Sequence, residues 1–138
     1  CQTYMQAAAI FDFELSIATP SGYNPSEIFI QKYQKNISFT NDPMDACKDA
    51  DIVVTDVWTS MGQESEKKQR ESAFSGFQVN ELMMNQARKD AVFMHCLPAY
   101  RGIEVSPEVI DGSQSVVWSE AENRLHVQKS LLLHLIKG

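Results

Sequence analysis

The sequence predicts a single α/β domain with a mostly parallel sheet, right-handed crossovers and helices on both faces. Apolar runs of strand length alternate with helical patterns about five times along the chain, without an internal repeat or a linker. The strongest run, residues 51–58, is rich in β-branched side chains, which is typical of a strand buried on both faces of a parallel sheet. With 43% hydrophobic and 22% charged residues, the composition is that of a soluble globular domain and excludes wholesale disorder.

The individual elements follow from apolar periodicity and turn chemistry. The predicted strands are short apolar runs bounded by turn residues, at residues 14–18, 37–40, 51–58, 91–94 and 115–118. The predicted helices carry an apolar face at helical spacing, at residues 2–13, 25–33, 43–47, 64–74, 79–87 and 119–136, with a single helical turn at 106–108.

Four helix starts carry a capping signal. Asn24 and Asp42 each precede a proline at the first helical position, a favoured arrangement of N-cap and first residue. Ser60 and Ser119 each have a Gln or Glu three residues later, which is the spacing of a capping box. These signals predict where the helices that follow the strands begin.

The last helix is apolar nearly all round its axis, because residues 131–136 include four leucines and an isoleucine. Two interpretations remain open at this point. The helix is either sunk into the core of this domain, or its second face packs on a domain outside this chain.

Charge and cysteine content narrow the function classes. The net charge is −6 and no stripe of Lys or Arg is present, which argues against a nucleic-acid partner. No apolar run approaches the roughly 20 residues that span a bilayer, and no signal peptide is recognisable. Three cysteines at spacings that match neither a zinc site nor a disulfide framework predict free thiols in a reducing, cytoplasmic compartment. The chain opens inside a helix without an initiator methionine, so we expect it to be a piece of a larger protein.

Polar residues follow three of the predicted strands, where ligands bind in open α/β sheets. Asp56 lies near the end of the predicted strand at 51–58, and His95 and Cys96 lie at the end of the strand at 91–94. Arg124 follows the predicted strand at 115–118. We expect these strand ends to converge on one crevice. No Gly-x-Gly-x-x-Gly or phosphate-binding loop is present, so a complete dinucleotide or nucleoside-triphosphate site has no support and no cofactor is predicted.

Each of these residues also has an interpretation without function. Cys96 could be a small buried hydrophobe, His95 a hydrogen-bonded core histidine, and Asp56 a carboxylate that binds a backbone turn. Arg124 needs an acidic partner or an anionic ligand, because a cation in a first helical turn opposes the helix dipole; Glu120 is close enough in sequence to be that partner. Because neighbouring strand residues point to opposite faces, we predict no metal shared by the adjacent histidine and cysteine.

Together the motifs resemble a known family. Residues 56–64 (DVWTSMGQE), 95–98 (HCLP) and 120–124 (EAENR) are similar, in this order, to the carboxyl-terminal, ornithine-binding domain of ornithine carbamoyltransferases. The similarity runs from the first helix to the last and includes residues 18–23 (ATPSGY). The resemblance implies a Rossmann-like, three-layer α/β fold, the second domain of the aspartate/ornithine carbamoyltransferase fold, over residues 1–138.

The resemblance also implies a reaction, in which carbamoyl phosphate and L-ornithine give L-citrulline and phosphate. On the ornithine side it assigns Asp56, Ser60 and Met61 to substrate binding, with Asp56 holding an amino group. Because the ornithine δ-amine must lose a proton before it attacks the carbamoyl carbon, charged groups beside it are expected to position it and balance its charge.

On the carbamoyl phosphate side, the resemblance assigns His95, Cys96, Leu97 and Arg124. Cys96 is expected to act as a thiolate that balances charge, with Asp56 and Arg124 as the other catalytic residues, rather than as a nucleophile that forms an acyl-enzyme. Arg124 would supply donors to a carbonyl or phosphate oxygen.

Two parts of the family's pattern are absent from this chain: the carbamoyl-phosphate domain with its Ser-Thr-Arg-Thr-Arg loop, and the strand expected before Cys1. We therefore expect the fragment alone to be inactive, and a trimer-based homo-oligomer only for the full-length protein. Two alternatives stay open: a carbamoyltransferase for putrescine or another amine, and a non-catalytic amino-acid-binding domain of the same fold. The sequence leaves open whether the enzyme makes citrulline or runs in reverse.

Overall fold

The computed structural model describes residues 1–59, 62 and 64–138. Within this part of the chain, four strands pair in parallel: β1 (Leu15–Ala18) with β2 (Ile37–Thr40), and β3 (Ile52–Thr55) with β4 (Val92–His95). A helical connection separates the two strands of each pair, as parallel neighbours require. The α/β class and the parallel pairing are therefore confirmed, and the described strands form two sheets of two strands each.

The helices alternate with the strands and flank them. They are α1 (Gln2–Phe11), α2 (Glu27–Tyr33), α3 (Pro43–Cys47), α4 (Lys67–Ala73), α5 (Glu81–Met84), α6 (Pro107–Ile110) and α7 (Val117–Lys137). Helices α1 and α3 pack on β1, and α7 packs on β4. A 3₁₀ turn, Glu64–Glu66, precedes α4.

The main core lies around the second pair of strands. Phe93 in β4 is fully buried and shares one apolar cluster with Met83 of α5, Val109 of α6 and Val117 of α7. The second strand pair is therefore packed into a core that three helices share.

Of the two predicted Asx-Pro caps, one is confirmed. The Asp42 carboxylate accepts a hydrogen bond from the Met44 backbone N–H at 2.9 Å and caps α3. The prediction for Asn24 is wrong, since α2 begins at Glu27 with Ser26 as its N-cap. Asn24 is already engaged, because its Oδ1 accepts a hydrogen bond from the Thr19 hydroxyl at 2.6 Å.

Strand β3 is shorter than the run that predicted it. It ends at Thr55, after which the Asp56 carboxylate accepts a hydrogen bond from the N–H of Val57 at 2.8 Å instead of continuing the strand. The prediction of burial on both faces is also wrong: Val53 is 6% exposed, but Ile52 is 52% and Val54 is 39% exposed. One face of β3 is therefore open to solvent in this chain.

The predicted strand at 115–118 is wrong. Ser115 forms a single bridge with Phe93, and α7 begins at Val117. Ser119 lies inside this helix and cannot cap it; Val116 occupies the N-cap position without a side-chain hydrogen bond. The predicted helix over 79–87 is likewise reduced to the single turn α5, capped by the Asn80 carboxamide. The capping box of Ser60 lies outside the described residues.

Helix α7 extends away from the core over most of its length. Val117 is its buried residue, and its remaining large apolar side chains are exposed: Trp118, Leu125, Val127, Leu131, Leu132, Leu133, Leu135 and Ile136. A helix sunk into the core of this domain is therefore the wrong alternative. Among the described residues, no helix is both long enough and apolar enough to cross a membrane.

Candidate functional site

The ends of β3 and β4 place Asp56 and Cys96 side by side. Thr55 and His95 are register partners in the parallel pair, so the residues that follow them leave the sheet together. The Cys96 thiol donates a hydrogen bond to Asp56 Oδ1 at 3.3 Å. Both side chains are exposed, so a ligand has access to the pair. The predicted convergence of these two strand ends is what the structure shows.

Behind the pair, His95 and Glu104 form a fully buried contact. Each is 0% exposed, and His95 Nε2 lies 3.2 Å from Glu104 Oε1. The other ring nitrogen, Nδ1, accepts a hydrogen bond from the Leu97 backbone N–H at 2.9 Å. Because Nδ1 acts as an acceptor, Nε2 must carry the ring proton and donate it to Glu104. The non-functional interpretation of His95, a satisfied core histidine, fits this geometry well.

This buried contact organises the loop after β4. The same Glu104 oxygen accepts a second hydrogen bond, from the Tyr100 backbone N–H at 2.6 Å. Between these two anchors Leu97 adopts φ = 55°, a left-handed conformation that costs a non-glycine residue about 1 kcal/mol, and the Leu97–Pro98 peptide is cis. The His95–Glu104 contact thus holds the backbone that carries Cys96 and Leu97.

The first turn of α7 reaches the same edge. Glu120 Oε2 accepts a hydrogen bond from the His95 backbone N–H at 3.0 Å. Glu120 is therefore not the partner of Arg124, as the sequence had suggested, and Glu122 contacts His126 at 3.6 Å instead. The Arg124 side chain is exposed and makes no ion pair with any described residue. Arg124 lies one helical turn after Glu120, and its charge is available to an anionic ligand.

The charges at this edge raise the pKa of the Cys96 thiol. Partial burial is the largest cause, followed by the hydrogen bond to Asp56 and by the negative charges of Asp56 and Glu120. A backbone hydrogen bond opposes them. A raised pKa favours the thiol form of Cys96 in the chain without ligands, so the expected thiolate stays a prediction for the state with a positive group beside Asp56.

Tyr4 is a neighbour of the site that the sequence did not reveal. The pKa of its hydroxyl is raised by burial and then by the negative charges of Glu120, Cys96 and Asp56. Tyr4 lies in the first turns of α1, and a helix that leads into a parallel strand begins at the carboxyl edge of the sheet. This topological rule could have placed Tyr4 near the site from the sequence. For Glu104 no local signal existed, because its burial depends on the fold.

Whether the site could hold a metal ion depends on which of its ligand atoms are free to bind one. Asp56, His95 and Cys96 offer ligand atoms that all lie within 4.8 Å of one another, closer than strand alternation suggested. Both His95 nitrogens are engaged, however, one with Leu97 and one with Glu104. A metal would have to displace one of these partners, so we assign none. Ser60 and Met61 lie outside the described residues.

The chain was compared with known proteins. Residues 1–135 match the family model for the aspartate/ornithine carbamoyltransferase, Asp/Orn binding domain. The ornithine carbamoyltransferase of Ruthia magnifica is 60% identical over 136 residues, which are 99% of this chain and 46% of that protein. The enzyme of the same name from Nitrosococcus oceani is 56% identical over 138 residues, or 100% of this chain and 45% of that protein.

Solved structures of carbamoyltransferases are similar to this chain as well. The anabolic ornithine carbamoyltransferase of Campylobacter jejuni superposes with a TM-score of 0.93 at 43% identity, covering 99% of this chain and 48% of that one. An acetylornithine transcarbamylase complexed with acetylcitrulline is more distant, with a TM-score of 0.80 at 26% identity over 95% of this chain and 42% of that one. The chain thus spans less than half the length of the proteins it matches.

Proposed function

This chain belongs to the Asp/Orn-binding domain family of the aspartate/ornithine carbamoyltransferases, and we propose that it is the ornithine-binding half of an ornithine carbamoyltransferase. The reaction is transfer of the carbamoyl group of carbamoyl phosphate to the δ-amine of L-ornithine, giving L-citrulline and phosphate. The observation that carries this proposal is the contact between Asp56 and Cys96 at paired strand ends, in a chain 60% identical to an ornithine carbamoyltransferase.

The exposed Asp56 carboxylate is suited to bind the δ-ammonium of ornithine. The amine must lose one proton before its nitrogen attacks the carbamoyl carbon, and a nearby carboxylate stabilises the positive charge that develops on that nitrogen. Ser60 and Met61 complete this proposal as the groups that bind the amino-acid end of ornithine.

Cys96 is suited to polar contact with the reacting groups rather than to covalent catalysis. Its raised pKa keeps the thiolate fraction low at neutral pH, and the thiolate is the nucleophilic form. An ammonium ion brought next to Asp56 acts in the opposite direction and favours the thiolate. In this proposal the charge on Cys96 therefore follows ornithine binding.

Arg124 and the loop of Leu97 form the carbamoyl phosphate side. The free guanidinium supplies donors to oxygens on which negative charge develops as phosphate leaves. The backbone around Cys96 and Leu97, held by buried His95, offers a fixed surface for the small carbamoyl group.

The full-length protein is proposed to contain a carbamoyl-phosphate domain and a further strand. Each two-stranded sheet has open edges in the described chain, and a further parallel strand could pair with one of these edges. The exposed apolar length of α7 offers a surface that a second domain of the same protein would cover. A trimer-based assembly and a cytoplasmic location belong to the same proposal.

The test is citrulline formation by the full-length protein and by residues 1–138 alone. We expect activity in the former and none in the latter. Carbamoylputrescine formation in place of citrulline would favour the putrescine alternative. Norvaline, which lacks the δ-amine, should bind to the full-length protein in calorimetry without being carbamoylated; binding without any turnover of ornithine would favour a non-catalytic domain.

A further inference from the structure

The carboxylate of Glu120 joins helix α7 to the end of strand β4. Its Oε2 accepts a hydrogen bond from the His95 backbone N–H at 3.0 Å. Glu120 lies in the first turn of α7 and is half-buried, whereas His95 is the last residue of β4 and is fully buried. This hydrogen bond therefore connects the residue before Cys96 with a residue one helical turn before Arg124.

The hydrogen bond replaces one that a longer strand would have made. Phe93 donates its N–H to the Gln114 carbonyl at 2.8 Å and accepts the Val116 N–H at 3.0 Å, which is the ladder of a short parallel bridge. If that ladder continued, the His95 N–H would donate to the Val116 carbonyl. That carbonyl instead accepts the Glu120 N–H at 2.9 Å, because α7 begins there. The Glu120 side chain thus supplies the acceptor that the start of the helix takes away.

Helix α7 is attached to the domain through its first turn. Val117 is the buried residue of this helix, and all of its residues from 121 to 137 are exposed. Arg124 lies on this exposed part, one turn after Glu120. The place of the Arg124 backbone relative to the end of β4 therefore depends on how the turn that carries Glu120 is held.

We propose that Glu120 is a positioning residue of the carbamoyltransferase site, which holds Arg124 on α7 at a fixed place relative to Cys96 on β4 through its hydrogen bond to the His95 N–H. This inference rests on the proposed function. Arg124 is proposed to act on carbamoyl phosphate and Cys96 to lie beside the reacting amine, so this hydrogen bond sets the spacing between the two halves of the site. Because a misplacement of about 1 Å can lower a rate by about 10²-fold, a residue that acts only through Arg124 can still control the rate.

The experiment measures steady-state citrulline formation by variants of the full-length protein. Glu120→Ala removes the acceptor and should lower kcat/KM for carbamoyl phosphate about tenfold. Glu120→Gln keeps a side-chain oxygen at the same reach and should stay within about threefold of wild type. Glu122→Ala is the matched control, because its exposed carboxylate lies on the same helix and contacts His126 instead of β4; it should stay within about twofold of wild type.

A double-mutant cycle tests whether Glu120 acts through Arg124. If it does, Glu120→Ala should cost little once the Arg124 side chain has been removed, so the double variant should be within about twofold of Arg124→Ala alone. A residue that only stabilises the fold would lower the activity of both backgrounds by the same factor. Glu120→Asp, whose carboxylate is one methylene short of the His95 N–H, takes the place of Glu120→Ala in the cycle if the alanine variant does not fold.

Three kinetic results would overturn the proposal. They are an unchanged kcat/KM in Glu120→Ala, additive effects in the cycle, and equal losses in Glu120→Gln and Glu120→Ala. The last of these would assign the effect to the negative charge of Glu120 instead of its hydrogen bond.

Hydrogen–deuterium exchange of the same full-length variants is a readout that is independent of turnover. The His95 amide should exchange faster in Glu120→Ala than in wild type or Glu122→Ala, because its acceptor is gone. The Val116 amide, which donates to the Phe93 carbonyl, serves as the internal reference. Unchanged exchange at His95 would show that Glu120 does not hold α7 to β4. If the wild-type protein makes no citrulline, the proposed function and the positioning role fail together, whereas the exchange rates still decide whether the hydrogen bond joins α7 to β4.

Discussion

The buried carboxylate of Glu104 should be the most sensitive position behind the site. Replacing it by alanine leaves two donors without an acceptor, the fully buried His95 Nε2–H and the partly buried Tyr100 N–H. An unsatisfied buried polar group costs about 1–3 kcal/mol, so Glu104→Ala should lower the free energy of unfolding by about 2–6 kcal/mol. We expect a value in the lower half of this range. Glu104 Oε2 has no hydrogen-bond partner among the described residues, so removing this oxygen breaks no hydrogen bond.

Urea unfolding followed by far-ultraviolet circular dichroism measures this change. Glu104→Gln keeps a carbonyl acceptor and should lose only about 1 kcal/mol, the difference between a charged and a neutral acceptor. The control is Glu108→Ala, which removes an exposed carboxylate four residues along and should change stability by less than about 0.5 kcal/mol. If Glu104→Ala and Glu108→Ala unfold at the same urea concentration, the His95–Glu104 contact does not support the loop.

Three further predictions concern two residues of the site and one exposed residue of α7. Asp56→Asn removes a hydrogen bond and a negative charge that raise the pKa of Cys96, so iodoacetamide should modify Cys96 severalfold faster at neutral pH, measured by peptide mass spectrometry with Cys1 as the internal reference. A rate equal to wild type would show that Asp56 does not raise the pKa of Cys96. Arg124→Ala in the full-length protein should lower kcat/KM for carbamoyl phosphate at least tenfold in steady-state citrulline assays, since a charged hydrogen bond contributes about 1.5–3 kcal/mol; an unchanged value would remove Arg124 from the site. Leu132→Asp should change the stability of residues 1–138 by less than about 0.5 kcal/mol, because the side chain is exposed there. In the full-length protein, where we expect the side chain to be buried, it should destabilise the fold by at least about 2 kcal/mol in thermal unfolding. Equal effects in both would show that this part of α7 is exposed in the whole protein.

Local patterns predicted those elements whose structure depends on local chemistry. The strand at 37–40 has the predicted bounds, and the Asp42 cap is present, because a β-branched run and an Asx-Pro pair act within a few residues. The run at 115–118 failed for a physical reason: a short apolar stretch suits a buried strand and a buried helix start equally well. Val117 is buried in both cases, so only tertiary packing decides between them.

The chemistry of the site was harder to predict than its location. Parallel strand ends meet at one edge, so Asp56 and Cys96 could be placed together from the sequence. The raised pKa of Cys96 could not be predicted, because it depends on burial and on carboxylates 40 and 24 residues away in the chain. The same holds for Glu104, whose function depends on the burial of its partner His95.

The charge pattern at this edge itself favours an amine as the ligand. Burial is the largest cause of the raised pKa values of Cys96 and Tyr4, and the negative charges of Asp56 and Glu120 raise both pKa values further. The part of each shift that comes from these carboxylates indicates a negative potential, which disfavours a further anion and favours a positive group beside Asp56. A ligand ammonium beside Asp56 supplies that group, while Arg124, one helical turn after Glu120 on α7, offers a positive charge to an anion. The two proposed substrates, an amino acid with a side-chain ammonium and an acyl phosphate, differ in charge in the same way as these two regions.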